Sequence, residues 1–285
     1  MMAELPLALF TTLAPIGAGA FIALAVAFFT TKFSDEQLKK IDRMTTIPVV
    51  VLVAGFTCAF FHLASPMHAF GVFAGLGASP LSNELLAGVV FAVLAIVYWI
   101  VALAGKLSEG ARKGFAAVVA VMAVVFACFT GAAYMMETIA SWNTPMVPVA
   151  VLGFSLLGGV SLGVLVLALS GALEDAAKGG FKMAAPVVLV VGLVLGIAGL
   201  LVQVMSVSGM GNALVDGADL VAAASAPMWI GVVCMVVAAA AAFMALRNSK
   251  STALAVAAPV LVIVGVFAAR LAFYAVQLSV GLYIG

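Results

Sequence analysis

The chain has 285 residues, 66% of them hydrophobic and only 8% charged, with a formal net charge of +1 at pH 7 and a mean hydropathy of +1.34. Soluble domains run closer to half apolar and a quarter charged, so this balance excludes a soluble globular protein and requires an integral membrane protein.

About 20 apolar residues are needed to cross a bilayer core, and eight runs of that kind follow one another along the sequence. The first, Leu5 to Thr31, is too long for a cleavable signal, follows Glu4 rather than a basic region and lacks a small-residue cleavage site, so it is expected to stay as a helix. The mixed-sign stretch SDEQLKKIDR comes next and reads as a solvated connector. The second run, Thr46 to Ala64, ends inside FFHLASPMHAF, with Pro66 as a stop signal. Ser82 to Gly105 is the third run, and its opening Ser82-Asn83-Glu84 offers N-capping groups. Phe115 to Glu137, Met146 to Gly171, Met183 to Ser206, Ser225 to Leu246 and Ala253 to Gly281 complete the set. Runs this long and continuous satisfy their backbone polar groups in lipid only as helices, not as alternating barrel strands. The predicted fold is therefore all-α, one eight-helix transmembrane bundle over residues 1–285.

Smaller features follow from the same reading. Gly192, Gly196 and Gly199 predict a small-residue packing surface. Pro15, Pro48, Pro148 and Pro186 are expected near helix ends, because proline lacks the donor a helix interior needs. Cys58, Cys128 and Cys234 fall in three different runs with no C-x-x-C pair, so they offer neither an iron-sulfur ligand set nor a disulfide framework.

Lysine and arginine accumulate in cytoplasmic loops, and here the split is clean. Eleven of the twelve basic residues lie in alternate connections: Lys32, Lys39, Lys40 and Arg43; Lys106, Arg112 and Lys113; Lys178 and Lys182; Arg247 and Lys250. The intervening connections, Ser65 to Leu81, Thr138 to Pro145 and Val207 to Ala224, hold none. Both termini are expected outside, in the periplasm of a two-membrane bacterium or at the exterior of a one-membrane cell, with the protein spanning the bacterial cytoplasmic (inner) membrane several times.

That orientation puts the scarce polar groups at one face. His62 falls in the last turn of the second helix, and His68 opens the outer loop; they are the protein's two histidines. The twelfth basic residue, Arg270, lies about 17 residues into the last run, hence about 26 Å along a helix rising 1.5 Å per residue. Tyr274 and Gln277 follow it on the same helical face. An intramembrane cation turns inward and seeks a partner, and Glu84 and Glu137 lie at comparable depth, with Tyr134 and Trp142 nearby. Two histidines six residues apart in one segment do not make an axial pair for haem. A lipid-soluble quinol fits better, because its oxidation needs an apolar cavity, a hydrogen-bond partner and a base of near-neutral pKa. His62 is the candidate base; its other reading is an interfacial histidine capping helix carbonyls.

The stretches HLASPMHAF (His62 to Phe70), GASPLSNE (Gly77 to Glu84), WNTPM (Trp142 to Met146) and RLAFYAVQLSVG (Arg270 to Gly281) resemble the membrane anchor subunit of the dimethyl sulfoxide reductase complex, and the likeness extends over the whole sequence. The resemblance implies a haem-free anchor, without an iron-sulfur cluster of its own, that oxidises menaquinol near the outer face in anaerobic respiration. It also implies that electrons pass to an iron-sulfur subunit serving a molybdopterin catalytic subunit, both docked outside. By position His62 matches the family's quinol-linked histidine and Glu84 an acidic residue of the same site. Ala64, His68 and Gln277 depart from the residues common there. The full expected site is His62, Ser65, Glu84, Tyr134 and Arg270, supported by His68, Asn83, Glu137, Trp142 and Tyr274, with no metal. Apart from these partners and the bilayer, no nucleic acid is expected. The alternative is a secondary transporter, whose signature is internal repeats and a midplane site.

Overall fold

The computed structural model describes residues 4–62, 71 and 73–280, with the backbone alone at His62. Ten α-helices form among them: α1 (Leu5–Thr30), α2 (Asp35–Met44), α3 (Thr46–His62), α4 (Pro80–Leu103), α5 (Glu109–Ala132), α6 (Met146–Leu169), α7 (Leu173–Lys178), α8 (Phe181–Ser206), α9 (Gly217–Arg247) and α10 (Thr252–Ala275). Eight spans are long and apolar enough to cross a membrane, α2 and α3 counting as one. The predicted all-helical, eight-span fold is therefore present.

The most apolar stretches of α1 and α6 are each 78% buried, against 28% for the span that includes α3. The first two are the axis of the bundle, and small residues let them approach. A Cβ placed on Gly19 of α1 would sit 1.8 Å from the Ser155 carbonyl oxygen of α6, and one on Gly153 would sit 2.1 Å from the Gly196 nitrogen of α8. Gly192 and Gly199 press on α6 in the same way, at 2.5 Å from the Leu157 nitrogen and 2.8 Å from the Ala150 nitrogen. In lipid, where apolar surface drives nothing, such close backbone packing supplies the association energy. Gly19→Ala is accordingly expected to destabilise the bundle by about 1–3 kcal/mol, the usual cost of overpacking. Gly114→Ala, in open space on α5, is expected to leave thermal unfolding in detergent unchanged or slightly improved. Equal melting temperatures for the two variants would contradict this packing account.

Proline placement differs from expectation. Pro15 and Pro186 lie inside α1 and α8, as do Pro227 in α9 and Pro259 in α10. Ser155 Oγ of α6 donates to the Pro15 carbonyl at 2.7 Å, which ties α6 to α1 beside this proline.

At the end of the bundle that carries the basic connections, the stretch expected to be a solvated connector is the helix α2. Ser34 accepts from the Gln37 amide while the Gln37 side chain accepts from the Ser34 amide, a reciprocal capping box. Its inner face buries Asp42, which takes a bidentate pair from the equally buried Arg112 of α5. The helix therefore packs, and a buried pair fixes its docking.

Other helix ends also move. Ser79 caps α4 by accepting from the Ser82 amide, so the helix starts at Pro80 and Ser82-Asn83-Glu84 lie within its opening turns, not at the cap. Ser108 and Asp216 cap α5 and α9, seven and nine residues before the apolar runs begin. The backbone leaves α5 at Ala132 and α10 at Ala275, earlier than hydropathy implied. The segments beyond meet each other: Ile139 bridges to Ser279, and the Leu278 amide donates to Ser141 Oγ at 2.9 Å.

Candidate functional site

At this non-basic end a cavity of about 570 Å³ opens among α1, α3, α4, α5 and the segments after α5 and α10. Small-molecule sites commonly measure about 300–1,000 Å³ and are mostly apolar with a few placed polar groups. Phe10 (α1), Phe56 (α3) and Phe126 (α5) form its floor, their ring centroids 5.5 to 6.5 Å apart. Phe60 of α3 and Leu81 of α4, 52% and 57% exposed, stand at its mouth. Glu4, Glu84, Tyr134, Trp142, Tyr274 and Gln277 are its lining residues with polar side-chain groups.

Glu84 is buried, and its Oε1 has no hydrogen-bond partner among the described residues. A buried polar atom left without a partner costs free energy, so its persistence at a cavity wall calls for a ligand or a functional role. Helical register brings Glu84 here: it lies one turn beyond the α4 start, beside Thr130 of α5.

The wall opposite is aromatic. Trp142 stacks on Phe273 at 4.9 Å and donates from Nε1 to the Phe273 carbonyl at 3.1 Å, which fixes the post-α5 segment against α10. Tyr134 stands edge-on to Trp142, Phe273 and Tyr274, and its hydroxyl bonds that of Tyr274.

Arg270 lies behind this wall rather than in the cavity lining. The ion pair expected with Glu84 or Glu137 is not formed among the described residues. Its guanidinium, in a side chain only 1% exposed, sits over the Phe273, Tyr134 and Tyr274 rings at 4.0, 4.9 and 5.1 Å. Nε donates to Thr11 Oγ1 at 2.8 Å and Nη2 to the Tyr274 hydroxyl at 3.3 Å. Ring faces and hydroxyls thus do what a carboxylate was expected to do. Glu137 is exposed, because α5 ends five residues before it.

Asn83 accepts from the Gly77 amide at 2.8 Å and so anchors the turn before α4, where Gly77 adopts φ +82; it does not line the cavity. His62 is the last residue of α3, one turn past the lining residue Ala59. Its side chain, together with Ser65 and His68, lies outside the described residues. Sequence alone pointed to neither the phenylalanine floor nor Thr11: phenylalanines are common in every span, whereas Thr11 was visible as a hydroxyl in an otherwise apolar helix. Among the described residues no group of three or more His, Cys, Asp or Glu side chains is placed to hold a metal.

The sequence profile of the DMSO reductase anchor subunit (DmsC) family matches residues 1–276. The protein belongs to the DmsC family. It is 32% identical over 169 residues to the C subunit of anaerobic dimethyl sulfoxide reductase of Escherichia coli (strain K12), a match covering 59% of each sequence. It is also 30% identical over 164 residues to the anaerobic dimethyl sulfoxide reductase subunit YnfH of the same organism, covering 58% of this sequence and 57% of that one. With the C subunit of the Haemophilus influenzae reductase it shares 29% over 164 residues, 58% of each. The alignments thus span less than two thirds of these relatives' length. DmsC membership and eight spans make this a multi-pass protein of a bacterial inner membrane.

Proposed function

We propose that the protein is the membrane anchor of a DMSO reductase-type respiratory complex and that it oxidises menaquinol in the cavity at its non-basic end. The observation that carries this reading is the buried Glu84 carboxylate, its Oε1 without a hydrogen-bond partner among the described residues, in the wall of a largely apolar cavity. The cavity suits a lipid-soluble ring: phenylalanines below it, tyrosine hydroxyls on one wall and a carboxylate on another. Oxidation of the quinol releases two electrons and two protons. His62, at the rim, accepts a proton from the quinol hydroxyl, and Glu84 supplies the second acceptor. The electrons go to an iron-sulfur subunit docked on the same face, and from it to a molybdopterin catalytic subunit.

Sidedness supports the arrangement of partners. Basic residues gather at the other end, so the positive-inside tendency puts the cavity at the outer face. Release of protons and uptake by the catalytic partner then occur on one side, and no charge crosses the bilayer. The anchor is expected to co-purify with iron-sulfur and molybdenum-containing subunits. In proteoliposomes the complex is expected to turn over menaquinol analogue and terminal acceptor without building a membrane potential. A potential that slows turnover and collapses with uncoupler would put site or partner on the wrong side. Isolation as a lone protein binding a soluble solute would favour the transporter instead.

A further inference from the structure

Behind the aromatic wall runs a series of hydrogen bonds that starts in α1 and ends at the cavity. Thr11 Oγ1 donates to the Leu7 carbonyl at 2.8 Å, which commits its proton and leaves the oxygen to accept from Arg270 Nε. Arg270 then donates from Nη2 to the Tyr274 hydroxyl, and that hydroxyl shares a bond with Tyr134. Tyr134 and Tyr274 both line the cavity, whereas Arg270 and Thr11 do not.

The direction of this series follows from the donor inventory. A guanidinium has five donors and no acceptor, so Tyr274 oxygen must accept from it. Two phenols carry two protons, and their shared bond uses one. A hydroxyl that accepts from a cation becomes the better donor, because hydrogen bonds in series polarise one another. The shared bond therefore runs from Tyr274 to Tyr134, which leaves the Tyr134 proton free. Among the described residues no other acceptor takes it, and Tyr134 lines the cavity that Glu84 also lines.

We infer that Tyr134 is the hydrogen-bond donor to an oxygen of the quinol ring, and that Arg270 and Thr11 are positioning residues that set its proton from behind the wall. This inference rests on the quinol reading above. The quinol hydroxyl donates its own proton to a base while its oxygen accepts from Tyr134. After oxidation the carbonyl oxygen still accepts, so the contact orients the ring in both states.

The test is titration of the purified complex with an alkyl hydroxynaphthoquinone, read by quenching of tryptophan fluorescence, since Trp142 lines the cavity. Tyr134→Phe is expected to raise Kd about tenfold, the scale of one lost hydrogen bond. Tyr274→Phe, which leaves the donor but not its orientation, is expected to raise Kd about threefold. The double variant should bind no more weakly than Tyr134→Phe alone, because both changes break one series. An analogue lacking the ring oxygen should lose affinity for the wild type but not for Tyr134→Phe, a discrimination that a structural role would not produce. Additive effects, or a Tyr134→Phe complex that binds like the wild type, would overturn the inference alone. Failure of the wild-type complex to bind the naphthoquinone would overturn the quinol reading and this inference together.

Discussion

Replacing His62 with alanine is expected to slow quinol oxidation by about 100-fold or more while the complex still assembles, the range for a lost general base. His62 is the last residue of α3, one turn beyond Ala59 of the cavity lining. The glycine contacts that hold α1, α6 and α8 together lie elsewhere in the bundle, so the anchor's fold is expected to survive the change. Acceptor reduction driven by an artificial dye that bypasses the anchor should continue at the wild-type rate. Quinol turnover within twofold of wild type would remove His62 from the mechanism and leave it as a cap at the helix end.

An effect of similar size is expected from filling the cavity. Ala59 of α3 lines it together with Phe56 and Phe60 of the same helix. An indole at that position would occupy the space between the phenylalanine floor and Glu84, so Ala59→Trp should reduce quinol-dependent turnover by more than about 100-fold. Binding lost through exclusion of the ring appears as a loss of kcat/KM. The same bulk at Thr57, exposed on α3, should do little. Wild-type turnover in Ala59→Trp would show that the ring binds elsewhere.

The spans and the gathering of polar residues at one end were legible because hydropathy and charge are written directly in the sequence. Helix ends were less so. Ser108 and Asp216 start α5 and α9 well before the apolar residues do, because capping depends on local hydrogen bonds and not on hydropathy. The α2 helix shows the same limit, since mixed charges read as solvated until Arg112 is seen to bury Asp42. Arg270 shows a different one. Its depth correctly announced an inward cation, yet a carboxylate was the expected partner. The sequence could not show that Thr11, 259 positions away, together with three aromatic rings, would meet its needs. The cavity was implied only by its rim; its floor comes from three helices whose phenylalanines meet in space alone.

The central claim is that quinol binds at the non-basic end, between α3, α4 and the aromatic wall of Tyr134 and Trp142. Irradiation of the purified complex with a photoreactive menaquinol analogue, followed by mapping of the labelled peptides, tests it most directly. The label is expected on the last turn of α3, the first two turns of α4 and the stretch from Tyr134 to Trp142, and excess unlabelled quinol should compete it away. Competed label on α2, α7 or the other connections of the basic end would contradict the account.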